Sequence, residues 1–333
     1  MVQLSVIIPC RNESKYIAKC IESIVNQDAE NCDIEILVID GMSVDGTRAI
    51  VENICHSNRK VRLIDNTELV TPNALNLGIK NAQGDYVMIA SAHSSFAPDY
   101  IDVLIKAMKQ LHADVVGGYM QTAIKNDTSK ARAIKEVLSC KFGVGNAMFR
   151  IGVSDEKLVD TVPFGIYRKE LFGEVGGYNN NLIRNHDIEL SKRLKASGKK
   201  IYLIPNAKCT YYARETFSAL AKNNYGNGLW NILTVKITKR FRSLSFRHFV
   251  PMIFVLSLIC PLVLMPVDIW LGLIAAASAV AYTMLTLFIC VKIKAKCKDL
   301  KIRYLFAGFI ALHLSYGVGS LIGLFSFHKK KIK

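Results

Sequence analysis

Short apolar runs alternate with amphipathic stretches through the first third of the chain. LSVIIP (4–9), IEILVID (34–40), VRLID (61–65) and VMIA (87–90) have the length and β-branched content of buried strands. Between them, Tyr16, Ile17, Cys20, Ile21 and Ile24 recur at helical spacing, predicting a helix over 14–26. Further helices are expected from Thr47, over 72–81 and over 98–112. This alternation predicts right-handed β/α crossovers on a mostly parallel sheet, with ligands at the carboxyl ends of the strands. A later stretch, LIRNHDIELSKRLKASGKKIYLIP (182–205), reads as one more helix and a strand ended by Pro205. Asn185 suits its N-cap, Asp187 and Glu189 its positive end, and Gly198 a left-handed stop.

Polar residues gather where ligands are expected. Arg11, Asn12 and Glu13 follow the first strand. Asp40, Ser43, Asp45 and Thr47 follow the second, and Ser91, Ala92 and His93 the fourth. An acid at a strand end can accept from a ribose or base, while Asp-Gly is also ordinary turn chemistry. Neither a G-x-G-x-x-G nor a P-loop is present, which disfavours NAD and ordinary ATP binding. Asp187, kept ionised by a helix N-terminus, can take a proton from a hydroxyl; capping alone is the plainer use of such an acid.

Charge changes the picture of the C-terminal third. Of the net +16, residues 236–333 supply +13, and that excess flanks long apolar runs. A membrane segment with basic cytoplasmic flanks fits better than a nucleic-acid-binding surface. KITKRFRSLSFRH (236–248) reads as a basic amphipathic interfacial linker. Segments 249–266, 267–291 and 304–327 are expected as two to three hydrophobic membrane elements. Two crossings return the basic run 292–303 to the cytoplasm; a third would export Lys329, Lys330, Lys331 and Lys333, so the crossing of 304–327 stays open. His313 in that segment suits either function or bundle packing. Nine scattered cysteines read as reduced thiols. The N-terminus lacks the form of a signal peptide, which predicts a first domain that is not exported.

Together, LSVIIPCRNE, ILVIDGMSVDGT, NALNLGIKNAQGDYVMIASAH and IRNHDIEL, in this order, resemble family 2 glycosyltransferases of GT-A fold. FGVGNAMFR (142–150) and VDTVPFGIYRKELFGEVGGYNNNL (159–182) resemble the succinoglycan-type, membrane-associated branch more closely. The resemblance covers about residues 3–225. It implies a Rossmann-like GT-A catalytic domain over 1–235 followed by a membrane domain over 249–333. It implies that Pro9, Glu13 and Asp40, with Arg11 and Ser43 beside them, bind a nucleotide, and that Asp187 is the general base of an inverting displacement. Two departures stand out. Where the family usually has an acidic metal motif, Ser91-Ala92-His93 offers a hydroxyl and an imidazole, so dependence on Mn²⁺ or Mg²⁺ stays open. His186 stands where the family often has Glu or Gln. Glu189, His186, Arg184 and Trp230 are candidates for acceptor or auxiliary roles, and Arg184, Arg214 and Lys222 for assistance to the leaving group. Trp230 suits either sugar stacking or a membrane interface. Residues 211–231 do not reproduce the Gln-x-x-Arg-Trp of processive synthases, which favours a single transfer.

The expected reaction is transfer from a nucleotide sugar, a UDP-hexose, to a lipid-linked saccharide in cell-surface polysaccharide synthesis. The expected setting is the cell membrane, multi-pass, with the catalytic domain on the cytoplasmic face; membrane lipid and polysaccharide-assembly proteins are the further partners, with no nucleic acid. A polyprenyl-phosphate sugar synthase is the alternative from the same chemistry. A non-catalytic assembly partner that has lost its metal site is the alternative of another class.

Overall fold

The structure, a computed structural model, describes residues 1–326, the side chain of Arg242 excepted. Phe327 and Lys329, Lys330, Lys331 and Lys333 therefore lie outside the described residues. The chain forms two compact units, residues 1–121 with 148–212 and residues 122–147 with 213–333. The division falls inside the expected 1–235 domain. The reason lies in apolar faces at 134, 137 and 220: Ile134, Val137 and Leu220 cluster with Leu305 and Phe309 of the C-terminal helices.

The first unit is built from β1 (Val2–Cys10), α1 (Ile17–Val25), β2 (Cys32–Asp40), α2 (Thr47–Ser57), β3 (Val61–Asp65), α3 (Thr71–Asn81), β4 (Tyr86–Ile89), β5 (Ser94–Phe96), α4 (Tyr100–Gln110) and β6, which runs Val115–Ala123. After α5 (Ser129–Ser139) and α6 (Lys141–Val144) of the second unit, it resumes with α7 (Met148–Ile151), β7 (Lys157–Leu158), β8 (Ile166–Arg168), α8 (Leu171–Glu174), α9 (His186–Ala196) and β9 (Ile201–Tyr212). Its strands lie in the order β3-β2-β1-β4-β8-β6-β9-β5, with β7 beside β9. β3, β2, β1 and β4 are parallel, while β8 joins β4 and β6 antiparallel. β1 is buried on both faces. Leu4, Val6 and Ile8 meet Ile17, Cys20, Ile21 and Ile24 of α1, while Ile7 meets Ala74 and Leu75 of α3 on the other side. Pro205 does not end the last strand; β9 continues through it to Tyr212, and Pro205 lies between the stretches that pair with β7 and β5.

The second unit adds α10 (Phe217–Thr238), α11 (Val250–Leu264), α12 (Leu271–Lys296) and α13 (Ile302–Phe325) to α5 and α6. Among the described residues α12 and α13 are long and apolar enough to cross a membrane. The helix within 249–266 has 15 residues, about 22 Å at 1.5 Å per residue, short of the roughly 30 Å hydrocarbon core. The basic run 236–248 was expected as an interfacial linker. Lys236–Thr238 finish α10, and Ser243, Leu244 and His248 are buried, while Phe241 and Phe246 project outward.

Candidate active site

Strand register brings three of the sequence-predicted groups to one edge. Cys10 pairs with Asp40 across β1 and β2, and the Ala90 N–H donates to the Ile7 carbonyl. The carboxyl ends of β1, β2 and β4 are thus adjacent; Pro9 and Asp40 lie in the last residues of β1 and β2, and Arg11, Glu13, Ser43, Ser91 and His93 follow the three strand ends.

The loops after β1 and β2 are laced together by side chains. Asn12 takes a positive φ of 57°, and its Oδ1 accepts from the Val44 N–H at 2.9 Å. The Asn12 N–H donates to Ser43 Oγ at 2.9 Å, and the Glu13 N–H to Thr47 Oγ1 at 2.7 Å. Asp40 is fully buried, and accepts from the Ser43 N–H and Oγ and from the Cys10 thiol. Burial and the Asp40 charge push the Cys10 thiol up, so it stays protonated and donates. Arg48 Nη1 lies 3.9 Å from Asp40 Oδ2. Asp45 accepts from the Thr47 hydroxyl and the Ser14 and Thr47 N–H groups, which hold its carboxyl well below the usual range. Asp40 and Asp45 thus both brace turns, and Asp40 is also a buried carboxylate at the strand edge.

At the end of β4, Glu13 Oε2 lies 2.9 Å from His93 Nδ1, and Tyr16 meets the imidazole edge-on at 5.5 Å. The Ser91 carbonyl accepts from Ser94 Oγ at 2.6 Å and from the Cys20 thiol at 3.2 Å. Among the described residues no group of three or more His, Cys, Asp and Glu side chains could hold a metal ion. Ser91, His93 and Glu13 therefore do not form a protein cage for a divalent cation; a cation there would need most of its ligands from elsewhere.

The α9 helix is tied to the same edge through β8. The Ile89 N–H donates to the Gly165 carbonyl at 3.1 Å, and upstream of Gly165 Ser191 Oγ meets Thr161 Oγ1 at 3.1 Å. Asp187, one turn before Ser191, is solvent-exposed in the first turn of α9. Its charge, with burial the larger cause, raises the buried Tyr167 and Tyr178 phenols. Asn185 stands at the N-cap in a left-handed conformation, φ 61°, and its side chain makes no capping bond. The His186 ring packs 5.7 Å from Tyr178, and its Nδ1 is buried with no hydrogen-bond partner. Burial lowers its pKa, with the neighbouring Asp187 acting the other way.

Glu189, a candidate for an acceptor or auxiliary role, is engaged by Arg193. It is buried and takes both Nε and Nη2 of Arg193 at 2.8 Å, and that guanidinium also donates to the carbonyls of Val175, Gly176 and Gly177. It fastens α9 to the 175–177 loop. Arg184 is half-buried in the first unit, and Trp230, Arg214 and Lys222 belong to the second. Arg150 received no role from the sequence, although it ends FGVGNAMFR. Its guanidinium lies 5.1 Å over the Tyr211 ring, and Tyr211 pairs with Ser94. Arg150 is thus one ring away from the turn that carries Ser91 and His93.

Solved structures share this architecture. The Pyrobaculum calidifontis mannosyltransferase PcManGT, determined with GDP-mannose and Mn²⁺, aligns over 94% of this chain and 86% of its own, with TM-score 0.57 and 16% identity. Staphylococcus aureus TarS residues 1–349 align over 98% and 93%, with TM-score 0.51 and 15% identity. The fold is GT-A. The family model for glycosyl transferase family 2 matches residues 5–176, just over half of the chain, and the chain belongs to that family. It is 27% identical over 83% of both chains to the succinoglycan biosynthesis protein ExoA of Rhizobium meliloti. It is 28% identical, over 68% of this chain and 71% of the other, to a Methanococcus voltae enzyme. That relative is named dolichyl N-acetyl-alpha-D-glucosaminyl phosphate 3-beta-D-2,3-diacetamido-2,3-dideoxy-beta-D-glucuronosyltransferase.

Proposed function

We propose that this glycosyltransferase moves one hexose from a UDP-sugar to a lipid-linked saccharide, with inversion at the anomeric carbon. The observation that supports the reading is a buried strand-end carboxylate, Asp40, and an exposed helix-start carboxylate, Asp187, on a family 2 fold. Asp40, with Pro9, Arg11, Glu13 and Ser43 around it, takes the base and ribose. Asp187 takes the proton of an acceptor hydroxyl. The hydroxyl oxygen then bonds to the anomeric carbon as the bond from that carbon to the diphosphate oxygen breaks, and the electron pair leaves with the nucleoside diphosphate. A single displacement inverts the centre.

Arg150, stacked on Tyr211 beside the Ser91–Ser94 turn, is the cation we assign to the departing diphosphate. PcManGT holds Mn²⁺ with its donor, and a divalent cation arriving with the diphosphate is the expected cofactor here, His93 being the imidazole of the Ser91-Ala92-His93 triplet. The Methanococcus relative is named for an acceptor on dolichyl phosphate, and ExoA for succinoglycan biosynthesis. Apolar α12 fits the same setting: a catalytic unit held at a membrane meets lipid-borne acceptors at raised local concentration. The cell membrane, with the catalytic unit on the cytoplasmic face, is the location we assign.

The test is nucleoside diphosphate release by detergent-purified full-length protein, given UDP-glucose, UDP-galactose and related donors with a membrane lipid extract, in Mn²⁺, Mg²⁺ or EDTA. Release that depends on the lipid extract is expected. Wild-type protein that binds UDP yet releases nothing from any donor and extract would overturn the reading in favour of a non-catalytic partner.

A further inference from the structure

The α11–α12 hairpin carries most of the exposed large apolar side chains of the second unit. From 249 to 291 the one charged side chain is Asp268. Along α12, Ala275, Tyr282, Thr286 and Cys290 form a single packed stripe, while Leu273, Val280, Met284 and Phe288 around it are more than half exposed.

The hairpin is fastened along α13 and does not stand clear of it. Near the open end Cys290 clusters with Leu305 and Phe309. Nearer the tip the Tyr282 hydroxyl meets His313 Nδ1 at 3.0 Å, and the Phe254 ring stacks on Tyr282 at 4.3 Å. Pro251 and Val255 of α11 close on Gly317. Residue numbers fall on α12 as they rise on α13, so the two run antiparallel, side by side. Beyond these ties 256–264 and 271–281 remain, roughly 14 and 17 Å at 1.5 Å per residue, about half of the hydrocarbon core.

α13 is covered elsewhere by helices that belong in water. Val137 of α5 lies against Gly308, and Tyr225 and Ile232 of α10 close on Gly319 and Gly323. α5 carries Lys130, Arg132, Lys135 and Glu136, and α10 exposes Lys222. A crossing α13 would take these charges into hydrocarbon, where one lysine at the centre costs about 2.5–3.5 kcal/mol on insertion scales. The hairpin therefore does not ride across on α13.

Both ends of the hairpin are polar. At the open end the apolar surface stops at Lys292, whose Nζ lies 4.4 Å over the Phe288 ring, and Lys294, Lys296, Lys298, Lys301 and Arg303 follow. At the tip Asp268 accepts from the N–H of exposed Trp270 at 3.0 Å. A carboxylate and an indole suit a headgroup boundary. A hairpin standing upright with only half a bilayer of reach would put them at the midplane, where a carboxylate is costly.

Resting on the membrane reading above, we infer that α11 and α12 form a monotopic anchor: the hairpin lies in the plane of one leaflet, sunk beneath its headgroups, and neither leg crosses. A helix layer is about 10–12 Å thick, within the roughly 15 Å of hydrocarbon in one leaflet. The basic run 292–303 meets anionic headgroups at one end, and the Asp268–Trp270 turn reaches the same headgroup layer at the other. Lipid covers the bare face of α12.

The experiment has two arms on the full-length chain. Trp230→Phe leaves Trp270 as the one tryptophan, and this protein is reconstituted into phosphatidylethanolamine–phosphatidylglycerol vesicles containing doxyl-labelled lipid. Val267→Cys, in an otherwise unchanged chain, is treated in spheroplasts of a bacterial host with a membrane-impermeant maleimide added outside. The expected result is Trp270 fluorescence quenched by the doxyl lipid and no outside labelling above that of the unsubstituted chain. Labelling from outside would overturn the inference and leave the membrane location standing. Unquenched Trp270 in protein that stays with the membranes through a high-salt wash would do the same, because something other than lipid then covers the hairpin. Protein released from membranes by salt would overturn the inference and the membrane location together.

Discussion

At the scale of single residues, carboxylates with similar sequence credentials separate by what they touch. Asp187 is exposed and Glu189, two residues on, is buried on Arg193. Asp187→Asn is expected to lower kcat by about 10²–10⁴ while UDP affinity holds, as measured by titration calorimetry beside turnover. Glu189→Gln is expected to leave kcat within a fewfold and to lower stability by about 1–3 kcal/mol, the usual loss for a buried charge-assisted bond, read as a falling melting temperature. Arg150→Ala is expected to weaken UDP binding at least tenfold and uridine binding little, because a guanidinium matters only to the phosphates; equal losses for both would remove Arg150 from the diphosphate site. His186 gives a pH signature. Its folded pKa lies below the unfolded value of about 6.5, so on acidification the unfolded chain takes the proton first. Its contribution to stability is full above that value and is lost as pH falls below it. His186→Gln should therefore shrink the drop in melting temperature between pH 7.5 and 5.5, and an unchanged drop would refute the assignment.

At the scale of elements, the parallel half of the sheet was legible because period and punctuation agree there. VRLID is β3 residue for residue, and β2 ends at Asp40 as the sequence indicates. The antiparallel half was not, because β5, β7 and β8 have two or three residues each and carry no period. Pro205 misleads for a related reason, since a proline stops a strand only where its missing N–H is needed. Of the candidate site, the strand end at Asp40 and the helix start at Asp187 were legible, but the Arg150–Tyr211 stack joins residues 61 apart that no spacing rule connects. Close packing at the α10–α13 seam was not legible in hydropathy; the glycines there, Gly228, Gly319 and Gly323, serve backbone approach. Gly228→Leu should cost stability at the upper end of the roughly 1–3 kcal/mol typical of overpacking. Thermal melts in detergent would show it, and a melting temperature within a degree of wild type would contradict the close seam.

At the scale of the molecule, composition divides the chain near Lys236, whereas its contacts divide it at 122–147 and 213. Hydropathy sees which helices are apolar but not which neighbour covers them, so the packing of α5 and α10 with the C-terminal helices was not legible in it. The consequence is a chemical unit and a membrane-suited unit that share the sequence in interleaved pieces. The proposed reaction is transfer of a sugar to a lipid-borne acceptor by Asp187-driven inversion. It is tested most directly by isolating the lipid product formed from a labelled UDP-sugar by wild-type and Asp187→Asn protein, with the anomeric configuration read by NMR. The wild-type product is expected to carry a new linkage opposite in configuration to the donor, and a variant that still binds UDP is expected to give no product. A retained configuration, or Asp187→Asn turnover within threefold of wild type, would contradict it.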